Sequence, residues 1–338
     1  MNENAATGPR QLHVVVGAGA IGSGIARELS ARGHQVRIVT RSGSGPAGIA
    51  AEVVAADAGD AAAMVRLTEG AAAIYNCANP PYHRWPELWP PIAESLLGAA
   101  ERSGAVLVTI ANLYGYGPAR LSLGTAAYDQ AHPMTEATPL AATGRKGQVR
   151  AQMWRDALAA HESGRLRAVE IRASDYVGPG AQSVLGERVV PNLLRGKGVS
   201  VLGRADRLHT WTYTADVARL AVIVSADEAA WGSAWHVPSG PPRTQRDAVD
   251  DLAKAAGLAP IPVRSVPGAA LRVGGMFSPL LRELIETSYQ FREDFVMDSV
   301  AAQQTFGLAP TRWDHVLADV LRSYGWHDGT VSSNTVNR

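Results

Sequence analysis

The sequence predicts an α/β fold in which a doubly wound parallel sheet is followed by a smaller C-terminal domain. Three observations support this prediction. Short β-branched strands alternate with helical segments over residues 12–172, a glycine-rich turn follows the first strand, and the alternation stops after Gly178-Pro179-Gly180. Regular alternation of strands and helices is typical of a parallel sheet covered by helices on both faces.

The first part of the pattern is a strand over residues 12–16, then a glycine turn and a helix with apolar residues at helical spacing. Gly33 is predicted to end this helix, because glycine readily adopts the left-handed conformation found there. Further strands are predicted over residues 35–40, 51–55, 72–78, 105–110 and 166–172. Further helices are predicted over residues 60–69, 86–102 and 143–162. Within the second of these, Pro90 and Pro91 are expected to make regular helix begin at or after them.

Beyond residue 180, Pro and Gly pairs separate shorter apolar segments, which indicates a looser C-terminal region. Helices are predicted there over residues 244–256, 279–289 and 313–324. The predicted division is a nucleotide-binding domain over residues 1–175 and a smaller substrate-binding region over residues 176–338. Segments near 207–235 are expected to pack back on the first domain. The tails, residues 1–10 and 329–338, are expected to contain little structure.

Composition excludes several classes of protein. The 338 residues are 46% hydrophobic, which excludes a disordered chain, and 32 Lys and Arg against 31 Asp and Glu leave a net charge of +1. This balance offers no long-range field for nucleic acid or an anionic membrane. Cys77 is the single cysteine, so an internal disulfide and a thiolate metal site are excluded. We expect a cytoplasmic protein with no nucleic-acid, membrane or metal partner, since no signal core and no run of about 18 apolar residues occurs.

The turn after the first strand reads Gly17-Ala18-Gly19-Ala20-Ile21-Gly22. Glycines at this spacing permit a tight turn, close approach of the backbone to a pyrophosphate, and close packing of helix on strand. A purely structural turn is the alternative, but the position between a strand and an amphipathic helix favours a Rossmann-like dinucleotide site. The predicted contacts in the turn are Gly17, Gly19, Ala20, Ile21 and Gly22.

The second strand ends in Thr40-Arg41-Ser42, where an NAD-preferring site would carry an acidic residue for the ribose 2′-OH. Arg41 and Ser42 suit a 2′-phosphate better, so the predicted cofactor is NADP(H). Asp57, after the third strand, is a candidate acceptor for the adenine amine. It is equally a candidate helix N-cap, a role that Asp60 could also fill. Ala78, at the end of the fourth strand, completes the predicted cofactor contacts.

Several weak motifs occur in an order that resembles the extended or atypical short-chain dehydrogenase/reductase (SDR) family. They are GAGAIGSGIARELSARGHQV, ADAGD, IYNCAN, VLVTIANLYGYGP, EATPLAATGRKG, RASDYVGPG and WTYTADVA. The resemblance implies a Rossmann-like domain, a nicotinamide cofactor and a C-terminal substrate region. The glycine spacing is one residue tighter than the GxxGxxG usual in extended members.

The resemblance also exposes departures at the family's catalytic positions. The family's Ser/Thr, Tyr and Lys fall on Ile110, Thr143 and Gly147, so the usual triad is missing, and Lys146 lies one residue early. The dehydratase Asp-Glu pair falls on Ala111 and Asn112, which argues against a sugar dehydratase. His209 stands where nucleotide-sugar enzymes usually carry the Arg of RDFxYVDD, four residues before the Tyr at position 213.

Small residues recur at helical spacing in the helix predicted over residues 143–162, at Gly144, Gly147 and Ala151. Since glycine inside a helix costs up to about 1 kcal/mol relative to alanine, this stripe indicates that something approaches the helix closely. A cofactor, another ligand or a second helix would each fit the pattern.

Without the usual triad, the proton that accompanies hydride transfer needs another donor or water. The candidate catalytic residues are Asn112 and Tyr114 after the fifth strand, together with Lys146 and His83. Tyr114 matches a Tyr that is usually structural in the family, Lys146 is alternatively a solvated helix charge, and His83 is alternatively a loop hydrogen-bonding residue.

The rigid aromatic segment over residues 79–89 is expected to form one wall of an apolar pocket. Analogy with SDR substrate domains places a second group of residues on the opposite side. The predicted substrate contacts are Tyr82, Trp85, Tyr116, Asp175, Tyr176, His209 and Trp211, with Arg207 beside them.

The resulting prediction is an atypical SDR that uses NADP(H) to reduce, or reversibly oxidise, a small and mainly apolar carbonyl, imine or enone in specialised metabolism. One alternative is a catalytically lapsed redox sensor resembling the NmrA type, and another is a non-redox isomerase or cyclase. The sequence leaves the substrate, the reaction direction and the oligomeric state open, although homodimers are common among such relatives.

Overall fold

The computed structural model describes residues 10–266, 285–327 and 330–331. The chain divides into two compact units. The first unit takes its described residues from Met1–Asn112, Gln148–Arg172 and Val217–Trp235, and the second takes them from Leu113–Gly147, Ala173–Asp216 and His236–Arg338. A prediction with one main boundary at residue 175 did not anticipate that residues 113–147 group with the second unit.

A seven-stranded sheet organises the first unit. In chain order its strands are β1 (Leu12–Val16), β2 (Gln35–Thr40), β3 (Glu52–Ala55), β4 (Ala71–Asn76), β5 (Val106–Asn112), β6 (Arg167–Ala173) and a last strand, Ala234–His236. Across the sheet the order runs from the last strand through β6, β5, β4, β1 and β2 to β3, and the pairings from β5 to β3 are parallel. This is the strand order of a doubly wound Rossmann-like sheet, so the predicted fold class is confirmed.

The central strands are mainly apolar because both faces of the sheet are covered. Val14, Val15 and Val16 in β1 are almost completely buried, and so are residues 106–111 of β5. A parallel strand buried on both sides needs apolar residues at successive positions rather than at alternate ones.

The helices of this region are α1 (Ala20–Ala31), α2 (Ala61–Leu67), α3 (Trp85–Ser103), α4 (Ala119–Ser122) and α5 (Arg145–Glu162). Gly33, with φ +80°, follows the end of α1 as predicted. The expectation for α3 was wrong, since the helix begins at Trp85 and contains Pro90 and Pro91. Both prolines are exposed, so water can solvate the backbone carbonyls that the prolines leave without donors.

The second unit is built from short strands around its own apolar cluster. Its first strands are β7 (Asp175–Val177), β8 (Val199–Leu202), β9 (Leu208–His209) and β10 (Trp211–Tyr213), and β7 pairs in parallel with β10. The remaining strands are Arg243–Thr244, Val263–Val266, Trp326–His327 and Thr330–Val331.

The helices of the later chain are α6 (Val190–Leu193), α7 (Thr214–Ala226), α8 (Gln245–Ala255), α9 (Val300–Phe306) and α10 (Trp313–Ser323). A capping box between Thr244 and Asp247 begins α8, and the predictions for α8 and α10 are confirmed. Most of the helix predicted over 279–289 lies outside the described residues, as do most residues of the two predicted tails. Among the described residues, no helix combines the length and the apolar character needed to cross a membrane.

A buried histidine couples the first unit's stability to pH. His13 Nδ1 lies 3.1 Å from the Tyr75 hydroxyl, and that hydroxyl donates to Ser225 at 2.8 Å. The tyrosine oxygen therefore accepts a hydrogen bond from Nδ1, and His13 Nε2 is buried without a partner among the described residues. Burial, together with the neighbouring His34, lowers the pKa of His13 to about 4.

We expect the protein to lose stability as the pH falls below 6.5. The unfolded chain takes up this proton near pH 6.5, whereas the folded chain resists it until about pH 4. His13 alone should lower the free energy of unfolding by about 2 kcal/mol between pH 7 and pH 5. Urea titrations at the two pH values should show this difference shrinking in His13→Gln, while His315→Gln, which changes an exposed histidine, keeps it. An undiminished difference in His13→Gln would assign the effect to other groups.

Candidate functional site

The turn between β1 and α1 packs so tightly that two of its residues have no room for a side chain. Gly17 has φ +104°, and a Cβ there would collide with the backbone carbonyl of Cys77. A Cβ on Gly22 would collide with the carbonyl oxygen of Gly17. The turn is held at the sheet edge by hydrogen bonds of 2.9 Å from Gly17 N to Val39 O and from Cys77 N to Val16 O.

Gly19 differs from these two glycines. It is the exposed N-cap of α1, it makes no side-chain cap bond, and a Cβ built on it would meet nothing within 4 Å. The first backbone N–H groups of α1 have no acceptor within the helix, and the helix dipole favours negative charge at this end. The cradle therefore fits a diphosphate, which would approach on the open side at Gly19, next to Ala20 and Ile21.

Thr40 is the last residue of β2, the strand beside β1, and Arg41 and Ser42 follow it. The Thr40 hydroxyl donates to the Ser44 carbonyl at 2.8 Å, and the Ser42 and Ser44 hydroxyls lie 2.5 Å apart. These bonds shape the loop, while the exposed Arg41 makes no hydrogen bond or ion pair with the residues that the structure describes. Its guanidinium is therefore available to an anion.

Asp57 and Ala78 also lie at this carboxyl edge, after β3 and β4. Asp57 Oδ1 accepts from Gly59 N at 2.9 Å, and Asp60 is the residue that caps α2, through Ala63 N at 3.0 Å. Asp57 is therefore not the helix cap, and contact with an adenine amine stays a prediction for it. Ala78 N donates to Asn76 Oδ1 at 3.3 Å, and burial raises the pKa of the adjacent Cys77 thiol, which stays protonated.

The chain leaves β5 through Asn112 and a 3₁₀ turn over Leu113–Tyr116. Asn112 and Tyr114 are half-buried, as a residue at a ligand site would be. Tyr116 is completely buried, and its hydroxyl donates to His236 Nε2 at 2.7 Å, because His236 Nδ1 already donates to the Asp298 carbonyl. Substrate contact stays a prediction for Tyr116, and its burial does not favour that role.

Protein atoms occupy the start of α5. A Cβ on Gly147 would lie 2.5 Å from the Tyr114 carbonyl oxygen, and a Cβ on Gly144 would lie 2.6 Å from Glu286 Oε1. The two glycines therefore accommodate the chain's own backbone and a carboxylate. Lys146 is buried, and its Nζ binds Glu286 Oε2 at 3.0 Å while its backbone N donates to Oε1 at 2.8 Å. The alternative of a solvated Lys146 was wrong, because Glu286 supplies a compensating charge.

The aromatic segment before α3 forms an internal contact within the first unit. Trp85 is buried, donates its indole N–H to the Pro80 carbonyl at 3.1 Å, and packs edge to face against Trp89. The Arg150 guanidinium lies 4.8 Å from the Trp85 ring centre and 4.3 Å from that of Trp89. Tyr82 packs against the outer side of Trp85 and is half-buried. The nearby His83 is exposed.

In the second unit, Asp175 and His209 form a pair. His209 Nε2 lies 2.7 Å from Asp175 Oδ2, and the imidazole is stacked between Phe291 and Phe295. The histidine side chain is 2% exposed and the aspartate side chain 24%. The carboxylate is therefore the part of this pair that a ligand can reach.

The other predicted substrate residues occupy different surroundings. Tyr176 is half-buried in β7, and Arg207 lies near Asp206 in the turn before β9. Trp211 is buried next to His209, with its indole N–H donating to the Arg243 carbonyl at 3.2 Å. Across the described residues, no three His, Cys, Asp or Glu side chains come together as a metal site would need.

Sequence reasoning missed Glu286 and Arg150. Glu286 lies 140 positions from its partner Lys146, and no local pattern connects the two. Arg150 lies between Gly147 and Ala151 of the small-residue stripe. It is more than 60 positions from Trp85 and Trp89 in the sequence, so no local pattern indicates the contact. A charged residue at a helix position otherwise expected to be buried was the available signal for Arg150.

Two kinds of comparison bear on the identity of the chain. A model of the NAD dependent epimerase/dehydratase family matches residues 13–235. None of the curated proteins matches the sequence significantly.

Solved structures share the fold at low sequence identity. DesIV, a dTDP-glucose 4,6-dehydratase from Streptomyces venezuelae solved as a double mutant with NAD and DAU, is 20% identical with a TM-score of 0.72, over 93% of this chain and 96% of that chain. UDP-glucose 4-epimerase from Thermotoga maritima, solved with UDP-glucose, is 17% identical with a TM-score of 0.74, over 93% and 98%. WbmH from Bordetella bronchiseptica, solved with NAD+, is 18% identical with a TM-score of 0.69, over 95% and 100%.

Loss of the Glu286 carboxylate should destabilise the protein far more than loss of a surface carboxylate. Glu286→Ala removes the carboxylate that binds the buried Lys146 ammonium, which should cost about 3 kcal/mol in the free energy of unfolding. Glu87→Ala, which breaks the exposed pair with Arg84, should cost less than about 0.5 kcal/mol. Urea denaturation of both variants measures the difference. The double variant Lys146→Met with Glu286→Leu should recover most of the loss, and similar losses in the two single variants would contradict a structural role for the pair.

Proposed function

The chain belongs to the NAD dependent epimerase/dehydratase family, and from this membership we propose that it is an atypical SDR enzyme that uses NADP(H). Its proposed reaction is the reduction, or the reverse oxidation, of a small and mainly apolar carbonyl, imine or enone. A bound nicotinamide cofactor would supply or accept the hydride. The observation that carries the proposal is the cradle at Gly17, Gly19 and Gly22, where two positions exclude a Cβ and the third is open.

The choice of NADP(H) over NAD(H) rests on Arg41. The loop after β2 presents this exposed guanidinium and the Ser42 hydroxyl at the position where the adenosine ribose of a cofactor in the cradle is expected. A guanidinium can bind a phosphate through two parallel hydrogen bonds, whereas it gains little from a ribose hydroxyl. Asp57, in the loop after β3, would then accept a hydrogen bond from the adenine amine.

The preference for an uncharged substrate rests on Asp175 and His209. Their pair carries no net positive charge whether His209 is protonated or neutral, and the carboxylate is the exposed member. A diphosphate would meet repulsion there rather than a cation. A sugar nucleotide of the kind held by the epimerase from Thermotoga maritima is therefore a poor fit, and a neutral substrate is favoured.

Proton transfer in this proposal falls to residues at the end of β5. Tyr114 carries a hydroxyl that can donate a proton to the substrate oxygen or nitrogen, and the Asn112 amide can polarise the same atom. Lys146 takes no direct part in this scheme because its ammonium is bound by Glu286. His83 is a second candidate proton donor, since its ring is exposed.

The Lys146 ammonium is bound by Glu286 and takes no part in proton transfer, which also favours a second candidate function, a catalytically lapsed NADP(H)-binding redox sensor. In that case both redox forms of the cofactor bind and no substrate turns over. The two candidates share the cofactor site and differ in turnover with a panel of aldehydes, cyclic enones and cyclic imines. A cytoplasmic location and a homodimer remain predictions in both cases.

Charge reversal at Arg41 tests the cofactor assignment. Arg41→Glu should weaken NADPH binding by about 100-fold and NADH binding by less than about threefold, because only NADPH carries the 2′-phosphate. Calorimetry on both nucleotides measures the two affinities. Arg66→Glu, an exposed arginine on α2, should leave both unchanged. Equal weakening of NADPH and NADH would refute the 2′-phosphate contact, and no binding of either nucleotide to the wild-type protein would refute the proposal.

Removal of the Tyr114 hydroxyl tests the proton donor. Tyr114→Phe should lower kcat on a panel substrate by about 100-fold while NADPH affinity stays unchanged, since the hydroxyl acts on the substrate. Steady-state kinetics and calorimetry supply the two readouts. Tyr324→Phe, which removes a half-buried hydroxyl at the end of α10, is the matched control and should keep full activity. Full activity in Tyr114→Phe would transfer the role to His83 or to water.

A further inference from the structure

The second unit contains a cavity of about 240 Å³ whose lining includes none of the predicted cofactor contacts and none of the candidate proton donors. Its walls come from the paired strands β7 and β10, the loop over residues 239–243, and residues 310–316 at the start of α10. Trp211 and Trp313 contribute the largest side chains to these walls. Val177 and Val316, both almost completely buried, add aliphatic surface.

Both indole rings are held by hydrogen bonds that leave the N–H groups occupied. Trp211 Nε1 donates to the Arg243 carbonyl at 3.2 Å, and Trp313 Nε1 donates to Asp251 Oδ2 at 2.9 Å. The Arg243 guanidinium lies 5.2 Å from the centre of the Trp313 ring and binds the same Asp251 oxygen at 2.8 Å. The rings are therefore fixed before any ligand arrives, and they offer apolar surface rather than hydrogen-bond donors.

The charged groups of the lining also have hydrogen-bond or ion-pair partners within the protein. The buried Asp216 accepts hydrogen bonds from Thr311 N at 2.8 Å and from the Thr311 hydroxyl at 2.6 Å. Arg312 is paired with Asp314 at 2.7 Å, as Arg243 is with Asp251. A charged ligand would lose its hydration and meet charged groups that already have partners, so the cavity favours a neutral molecule.

We propose that this cavity is a binding site for a neutral aromatic molecule of one or two rings. An apolar cavity of about 150 Å³ can bind benzene, so a cavity of about 240 Å³ has room for a fused two-ring compound. Two fixed tryptophans, with Pro241 and Pro310 beside them, provide the flat apolar surfaces on which such rings pack. None of the predicted cofactor contacts lines the cavity, and Trp211 is the one predicted substrate contact among its described lining residues.

Calorimetry with three compounds that share one ring system tests the ligand class. Indole is neutral, tryptamine is a cation and indole-3-acetate is an anion at neutral pH. Indole should bind about tenfold more tightly than either charged analogue, because the charged groups of the lining already have partners within the protein. Equal affinities for the three compounds, preference for a charged one, or no binding of indole would overturn the proposal.

Two variants locate the binding. A Cβ on Gly240 meets nothing within 4 Å, so a side chain can start there without a clash at Cβ, and Gly240→Trp is expected to add a ring at the cavity wall. This variant and Val316→Phe, which fills the cavity from α10, should each weaken indole binding by about tenfold or more. Gly98→Trp, at another glycine with open space around it, should not. Unchanged indole affinity in Gly240→Trp and Val316→Phe would place the binding elsewhere.

The same samples separate this site from the proposed function. NADPH binding should be unchanged in Gly240→Trp, because Gly240 belongs to the second unit and the cradle to the first. Failure of the wild-type protein to bind NADPH would refute the proposed function and leave the indole result standing. Failure to bind indole with NADPH binding intact would refute the cavity proposal alone.

Discussion

Close packing between the turn after β1 and the end of β4 leaves space for hydrogen atoms alone at Gly17 and Gly22. The carbonyl of Cys77 contacts Gly17, and the carbonyl of Gly17 contacts Gly22. These contacts pack the turn and the start of α1 against the ends of β1 and β4. Any side chain at either glycine would push the helix away from the sheet. The same packing directs the free N–H groups of α1 outward beside Gly19, and this makes the fold a phosphate-binding scaffold before any residue contributes charge.

The start of α5 shows the opposite use of small residues. In the sequence, Gly144 and Gly147 indicate close approach by a cofactor, another ligand or a second helix, and the structure fills that space with the Glu286 carboxylate and the Tyr114 carbonyl. The Lys146 ammonium can be buried because the Glu286 carboxylate binds it. A buried ammonium bound in this way serves structure rather than proton transfer. The proposed proton transfer is therefore assigned to groups at the end of β5.

Much of the fold was predictable because it follows from local chemistry. The apolar run of β1, the glycines after it, the left-handed Gly33 and the capping box of α8 each involve residues a few positions apart. The position of the predicted cofactor contacts at one edge of the sheet was predictable for the same reason, since these residues lie at or after the carboxyl ends of parallel strands. The range of α3 was predicted to within one residue, but the expectation that regular helix begins at or after Pro90 and Pro91 was wrong, because the exposure that makes these prolines tolerable is a property of the folded chain.

The sequence by itself determined the order of strands and helices, the position of the glycine turn and the basic residue that follows β2. Tertiary structure alone decided which side chains are compensated: Glu286 beside Lys146, Asp175 beside His209, and Asp251 between Arg243 and Trp313. The reason is physical. Secondary structure depends on neighbours within a few residues, whereas the charge, exposure and hydrogen bonding of a buried group depend on segments that meet only when the chain has folded.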